Sequence, residues 1–235
     1  MGVKRMIPGR VKTIIRTALG RDLLVRAQVK MTTERLGTEY GGYVICPELI
    51  APNSTVYSFG IGCDISFDTE MIEKFGVNDY AFDPTPRSID WVSTQQTPER
   101  FQFFSYGIGA HDGTAVFYPP ENSEWVSHSL VVKEETVDKA IEVPIRRLIT
   151  IMNQLGHDRI DVLKMDIEGA EYEVIDDILA SNIEFDQLVV EVHHRFKGLG
   201  PKKTKAMIES LNKNGYRIFH VSSNGDVYGF VKLRD

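Results

Sequence analysis

The sequence predicts a single α/β domain: a mostly parallel central sheet with helices on both faces and an antiparallel hairpin at the C-terminal edge. Three observations carry this expectation. From about residue 55, short apolar runs alternate with helix-period segments, the pattern of a sheet buried between two helical layers. The first of these runs ends in a glycine turn, Gly60-Ile61-Gly62. The chain closes on two apolar runs joined by Ser222-Ser223-Asn224-Gly225, a hairpin signal.

Taken in order, the elements begin with a basic head. Pro8 suits a first helical position, and Ile7, Val11, Ile14, Ile15 and Ala18 fall at helical spacing. Residues 1–30 carry a net charge of +7 within a chain whose formal total is −6, leaving −13 to the rest. Residues 1–50 therefore read as a basic amphipathic extension and 51–235 as the domain. The extension is expected to pack on the domain with its basic side solvated. The same face suits weak contact with an anionic membrane surface or an acidic partner, or an Arg-rich targeting role.

Within the domain, the runs 55–59, 80–82, 101–106, 161–165 and 188–192 read as strands. Residues 65–75, 171–179 and 202–214 read as helices, the last stopped by Gly215. Residues 114–118 read as a strand after the His111-Asp112-Gly113 turn, and Pro144 as the start of a helix through Leu155. Residues 216–221 and 227–233 form the hairpin arms.

Composition excludes several classes. At 235 residues and 42% apolar, the chain can bury a full core. An acidic body argues against nucleic-acid binding, which requires a basic surface. No run approaches a membrane span. Two cysteines, Cys46 and Cys63, make neither a disulfide framework nor a four-ligand zinc site, and a reducing, cytoplasmic setting is expected.

The glycine turn marks a ligand end of the sheet. Val56-Tyr57-Ser58-Phe59-Gly60-Ile61-Gly62 runs from strand to turn, and glycines there let backbone approach a ligand closely. Asp83 ends the next strand 23 positions beyond Gly60, where a nucleotide-binding unit places the carboxylate that takes ribose hydroxyls. Pro84 and Pro86 then stiffen the loop. Asp64 occupies the place where a dinucleotide fold wants its third glycine, and a negative charge there disfavours pyrophosphate. No phosphate-binding G-x-x-x-x-G-K-[ST] loop is present. A phosphate-free nucleoside is the better fit, with Gly107 and Ile108, after the third strand, facing a flat base.

Lys164-Met165-Asp166-Ile167-Glu168-Gly169-Ala170-Glu171 ends the fourth parallel strand and opens a helix, placing Asp166 at a strand tip beside the ligand crevice. This run resembles the signature of FkbM-type methyltransferases. The glycine turn, Phe82-Asp83-Pro84-Thr85-Pro86 and Gln187-Leu188-Val189-Val190-Glu191-Val192-His193-His194 match the family in order and spacing. The resemblance covers roughly residues 40–192. It implies a class I methyltransferase (Rossmann-like) fold, S-adenosylmethionine as donor, and O-methylation of a sugar-containing or other small-molecule acceptor. One position departs: methyltransferases commonly carry an acid two residues before the first glycine, and here Ser58 stands there, with Asp64, Asp68 or Asp166 available to compensate.

For the donor, the expected contacts are Gly60, Ile61, Gly62, Asp83, Pro84, Gly107, Ile108 and Asp166. For the chemistry, Glu191 and His193 sit two positions apart near the fifth strand's end, with Asp166 at the neighbouring tip. This group could hold Mg²⁺ or Mn²⁺, or work without metal with His193 as base and Glu191 orienting it. The Phe196–Pro201 loop and Tyr40-Gly41-Gly42-Tyr43 are candidates to cover the site. Two other readings compete: a methyltransferase-like fold that binds a nucleoside or partner without catalysis, and an NAD-dependent oxidoreductase, disfavoured by Asp64 and the lack of a Tyr-x-x-x-Lys pair.

Overall fold

Repeated strand-to-helix alternation does produce a parallel sheet. The computed structural model describes residues 15–118 and 140–234. A seven-stranded sheet runs β11-β12-β10-β9-β3-β4-β5, built from β3 (Thr55–Phe59), β4 (Asn78–Phe82), β5 (Phe101–Phe104), β9 (Ile160–Met165), β10 (Phe185–Glu191), β11 (Tyr216–Val221) and β12 (Val227–Lys232). All neighbours are parallel except β12, which runs antiparallel to both β10 and β11. The helices are α1 (Ser66–Phe75), α2 (Pro86–Ser93), α3 (Leu148–Leu155), α4 (Glu171–Ala180) and α5 (Pro201–Lys213). This is the class I methyltransferase architecture.

The central strands read as continuous apolar runs because both faces are covered. Val56, Tyr57 and Phe59 of β3 and Val162, Leu163 and Met165 of β9 are all fully buried. From β3 the order proceeds to β4 and β5 on one side and to β9 and β10 on the other. The reversal opens a crevice beyond the carboxyl ends of β3 and β9, where α/β sheets bind ligands. Ser58 pairs with Lys164 and Phe59 with Met165, so Gly60 and Asp166 leave their strands side by side.

A second, three-stranded sheet, β6-β8-β7, comprises β6 (Gly107–Ile108), β7 (Gly113–Phe117) and β8 (Ile141–Arg146). It corrects two expectations. The third strand stops at Phe104, and the chain re-enters pairing at Gly107 in this other sheet. Pro144 lies inside β8 and opens no helix; α3 begins four residues later. The short β6 pairs only with Ile145 and Arg146, so Pro144 has no neighbour on that side, the edge environment that tolerates a missing N–H. Pro86 corrects in the opposite direction. It is the first residue of α2 rather than part of a loop, its fixed φ suiting a first helical turn.

The N-terminal segment is stitched into the domain. β1 (Glu34–Leu36) and β2 (Tyr43–Ile45) form a hairpin whose Leu36, Tyr43 and Ile45 are buried against Phe67 and Met71 of α1. The buried Gln187 amide of β10 holds the Cys46 backbone from both sides, accepting its N–H at 2.7 Å and donating to its carbonyl at 3.0 Å. Farther upstream, residues 15–18 are helical, with Ile15 and Leu19 exposed. Pro8, Ile7, Val11 and Ile14, the start of the expected head helix, lie outside the described residues. Among the described residues no helix is long and apolar enough to cross a membrane.

Candidate active site

The crevice at the strand reversal is a cleft of about 730 Å³. Its floor is the glycine turn. Gly60 (φ +75°) donates its N–H to the Phe82 carbonyl at 2.9 Å, and a Cβ built on it would lie 1.8 Å from the Asp166 carbonyl oxygen. Gly62 (φ +55°) donates its N–H to Asp83 Oδ2 at 2.9 Å. Only residues without a Cβ combine this backbone bend with such close approach.

Asp83 sits where the sequence places it, at the tip of β4 and in the cleft wall. It also organises the site: Oδ1 accepts the Thr85 N–H at 2.9 Å and the Thr85 hydroxyl at 2.6 Å. With only Gly62 on it, Oδ2 keeps a lone pair for a further donor. Pro84, Gly107 and Ile108 line the same cleft with apolar surface. Gly60, Ile61 and Gly62 complete that side.

Ser58 does not reach the cleft. It is fully buried beneath the turn. Above it the Lys164 ammonium hydrogen-bonds to the Gly60 carbonyl and lies 5.0 Å from the Tyr43 ring centre. Asp68, on α1, is buried at the cleft edge beside this lysine. Asp64 is committed locally, accepting the Ser66 N–H at 2.8 Å and the Thr38 hydroxyl at 2.6 Å. These bonds hold its carboxyl below the usual range although burial acts to raise it.

Opposite the glycine turn lies a second cluster. One ligand atom each from Asp166, Glu191 and His193 falls within 4.8 Å of the others. The sequence placed His193 on the fifth strand; it lies two residues past the end of β10, yet still faces Asp166. Asp166 Oδ2 accepts the Tyr43 hydroxyl at 3.3 Å, while Oδ1 is buried without a hydrogen bond. His193 Nε2 is 3.6 Å from Asp166 Oδ1 and 3.5 Å from Glu168 Oε2. Glu168 adopts φ +51°, a conformation that costs energy for a non-glycine and turns this loop toward the histidine.

Behind His193 is a residue the sequence reading assigned only to a helix start. Glu171, the first residue of α4, is fully buried; it accepts the His193 backbone N–H at 2.7 Å and the Gly169 N–H at 2.8 Å. Burial would raise its pKa, but contact with His193 holds it down. Burial would likewise lower His193, and contact with Glu171, then the charges of Glu168 and Asp166, instead raise it to about 9. Burial, then the charge of Asp166, pushes Glu191 up to about 8. The Glu171, Glu168 and Asp166 carboxylates favour the cationic form of His193.

The outer walls differ from expectation in one respect. Tyr40-Gly41-Gly42-Tyr43 does line the cleft, clamped by Arg35 donating to the carbonyls of Gly37 and Thr38. The 196–201 loop does not line it: Phe196 packs on the far side of His193, ring centres 4.8 Å apart. The β11–β12 turn takes that place, with Ser222, Ser223, Asn224 and Asp226 in the wall. A hairpin turn carries no sequence mark of cleft position, which depends on β12 pairing with β10. His194 is structural, held between Asp22 at 2.9 Å and Thr204 at 3.2 Å.

Comparison with known proteins gives matches that span most of the chain. A family model described as the methyltransferase FkbM domain matches residues 56–218. A probable methyltransferase-like protein 24 from Rattus norvegicus is 23% identical over 176 residues, covering 70% of this chain and 42% of the relative. The Homo sapiens protein of that name matches to the same extent. The chain thus spans about 42% of the length of these curated relatives. Among solved structures, a Methanococcus jannaschii fibrillarin pre-rRNA processing protein is 10% identical with a TM-score of 0.46, covering 90% of this chain and 87% of that one.

Proposed function

The chain belongs to the FkbM methyltransferase family, and we propose that it transfers a methyl group from S-adenosylmethionine to a hydroxyl of a small-molecule acceptor. The observation that carries this reading is the pairing of two unlike walls in one cleft. A glycine turn with Asp83 suits a nucleoside, and a carboxylate-rich wall of Asp166, Glu168 and Glu191 suits the positive charge beside it. The same carboxylates would repel a pyrophosphate, which counts against a dinucleotide.

The residues present fit the donor. Asp83 keeps acceptor capacity for ribose hydroxyls, Gly107, Ile108 and Pro84 offer an apolar face for adenine, and Gly60 and Gly62 leave room along the backbone. When bound, the donor supplies an electrophilic methyl on a sulfonium sulfur. The protein aligns the acceptor oxygen for in-line attack on that carbon and receives the proton the hydroxyl loses. Asp166 is the candidate for this second task. Its Oδ1 is unpartnered, and the Tyr43 hydroxyl fixes the carboxylate through Oδ2. His193 and Glu191 surround it and set its electrostatic environment.

The acceptor side supports a hydroxyl-rich substrate such as a saccharide. Exposed Tyr40 offers a ring face, and Ser222, Ser223 and Asp226 offer polar groups along the opposite wall. The test is incubation with labelled S-adenosylmethionine and a panel of sugars, glycosides and polyhydroxy compounds. Gain of one methyl mass on a hydroxyl oxygen supports the reading. Label transferred only to nitrogen or carbon acceptors contradicts the hydroxyl assignment.

A further inference from the structure

The Asp166–Glu191–His193 cluster has two features that proton transfer alone does not explain. The first is the condition of the histidine. The His193 side chain is only 7% exposed, and Nδ1 has no hydrogen bond, while Nε2 points between two carboxylate oxygens at 3.5 and 3.6 Å. These gaps are too long for good hydrogen bonds. Asp166 Oδ1, on the same gap, is buried and also lacks a partner. His193 Nε2 and Asp166 Oδ1 thus face one gap, one ligand atom each of Asp166, Glu191 and His193 lies within 4.8 Å of the others, and among the described residues no lysine or arginine forms an ion pair with Asp166 or Glu191.

The second is Glu171. Its carboxylate faces Nδ1 at 3.4 Å and is anchored by two backbone N–H groups, those of Gly169 and His193. A proton on Nδ1 is thereby favoured, so that loss of the Nε2 proton to an incoming cation leaves its lone pair directed at Asp166 and Glu168. A carboxylate behind a histidine, fixing tautomer and ring orientation, is the usual second layer of a metal-binding imidazole.

We propose that Asp166, Glu191 and His193 form a divalent-cation site, preferring a Mn²⁺-type ion to Mg²⁺, with Glu171 as the positioning residue that orients His193. Ligand atoms already within 4.8 Å of one another need shifts of about an ångström or less to surround an ion at the ~2.1–2.3 Å bond lengths of such sites. Two oxygens and one imidazole nitrogen make a mixed donor set, and the nitrogen favours Mn²⁺ over the harder Mg²⁺. Three protein ligands leave positions open for the acceptor's oxygens. That role in catalysis rests on the methyltransferase reading; ion binding itself does not.

The test is a Mn²⁺ titration of chelator-treated protein, read by electron paramagnetic resonance, with calorimetric titration of S-adenosylhomocysteine in parallel. Expected is one Mn²⁺ per chain, displaced by Mg²⁺ only in large excess. Asp166→Asn and Glu191→Gln should weaken it at least tenfold. Glu171→Gln, which keeps an oxygen for one of the two backbone N–H groups but loses the charge, should weaken it about tenfold at unchanged circular dichroism. Absence of a site, or equal affinity in Asp166→Asn and Glu191→Gln, overturns the proposal. S-adenosylhomocysteine binding without any Mn²⁺ site overturns the ion alone, whereas failure to bind S-adenosylhomocysteine overturns the donor reading.

Discussion

Glu171 lies fully buried behind His193, accepting its backbone N–H at 2.7 Å and facing its ring Nδ1 at 3.4 Å. This pair joins the first turn of α4 to the end of β10 and so fixes the reacting end of the cleft. Truncation by Glu171→Ala leaves two buried N–H groups and a buried imidazole without their carboxylate. The expected cost is about 3–5 kcal/mol in urea unfolding, the range for a broken buried pair. Glu171→Gln, which keeps one acceptor oxygen, should cost less; equal costs would show that the hydrogen bonds from the backbone N–H groups play no part.

The same cluster gives stability a pH dependence of definite sign. His193, raised from 6.5 to about 9, stabilises the fold fully below pH 6.5 and loses that contribution as pH rises through about 9. Glu191, raised from 4.5 to about 8, also binds its proton more tightly when folded, so its contribution falls as pH rises from 4.5 through about 8. Chelator-treated protein should therefore show a Tm that declines between pH 6.5 and 9. Glu191→Gln should remove part of the decline. A Tm rising across this window would refute these ionisation states.

Two glycines with similar φ should respond differently to the same change. At Gly60 (φ +75°) a Cβ meets the Asp166 carbonyl oxygen at 1.8 Å, while at Gly76 (φ +65°) nothing lies within 4 Å. Gly76→Ala should cost only the left-handed backbone strain, about 1–2 kcal/mol. Gly60→Ala must also separate β3 from the Asp166 loop, so a larger loss, or no soluble protein, is expected. Comparable unfolding midpoints for the two variants would contradict the close packing of the turn.

Legibility in the sequence followed the locality of each constraint. The strands around Tyr57, Leu163 and Val189 were readable because burial on both faces makes them continuously apolar. Gly60, Gly62 and Asp83 were readable because their spacing follows from one strand-turn-helix unit. Pro144 was misread because its tolerance depends on where the short β6 stops, a tertiary fact. Tyr40–Tyr43 was readable as a cover for the site, whereas the place of Glu171 behind His193 and of the Ser222–Asp226 turn in the wall depends on long-range packing that no local pattern marks. Ser58, which looked like a gap in donor recognition, proves to be buried below the turn with Lys164 spanning the space above.

Asp22 provides a separate test, remote from the donor cradle. It is buried between His194 Nε2 at 2.9 Å and Arg195 Nε at 3.0 Å, tying the N-terminal segment to the loop after β10. Despite burial, hydrogen bonds from His194 and Leu23 hold its carboxyl below the usual range. Asp22→Ala should cost about 3 kcal/mol in denaturant unfolding. Its affinity for S-adenosylhomocysteine should stay at the wild-type level, since neither partner lines the cleft. A variant that lost affinity while keeping stability would place this contact in the donor site.

The donor cradle itself is tested most directly by calorimetric titration of S-adenosylhomocysteine into wild-type protein and Asp83→Asn, with NAD as the control. Expected is one molecule bound per wild-type chain, no heat with NAD, and affinity weakened by about 1–3 kcal/mol in the variant, the scale of a lost charged hydrogen bond. A wild-type protein that binds NAD, or that binds no sulfur nucleoside at all, would contradict the assignment of this cleft to a methyl donor.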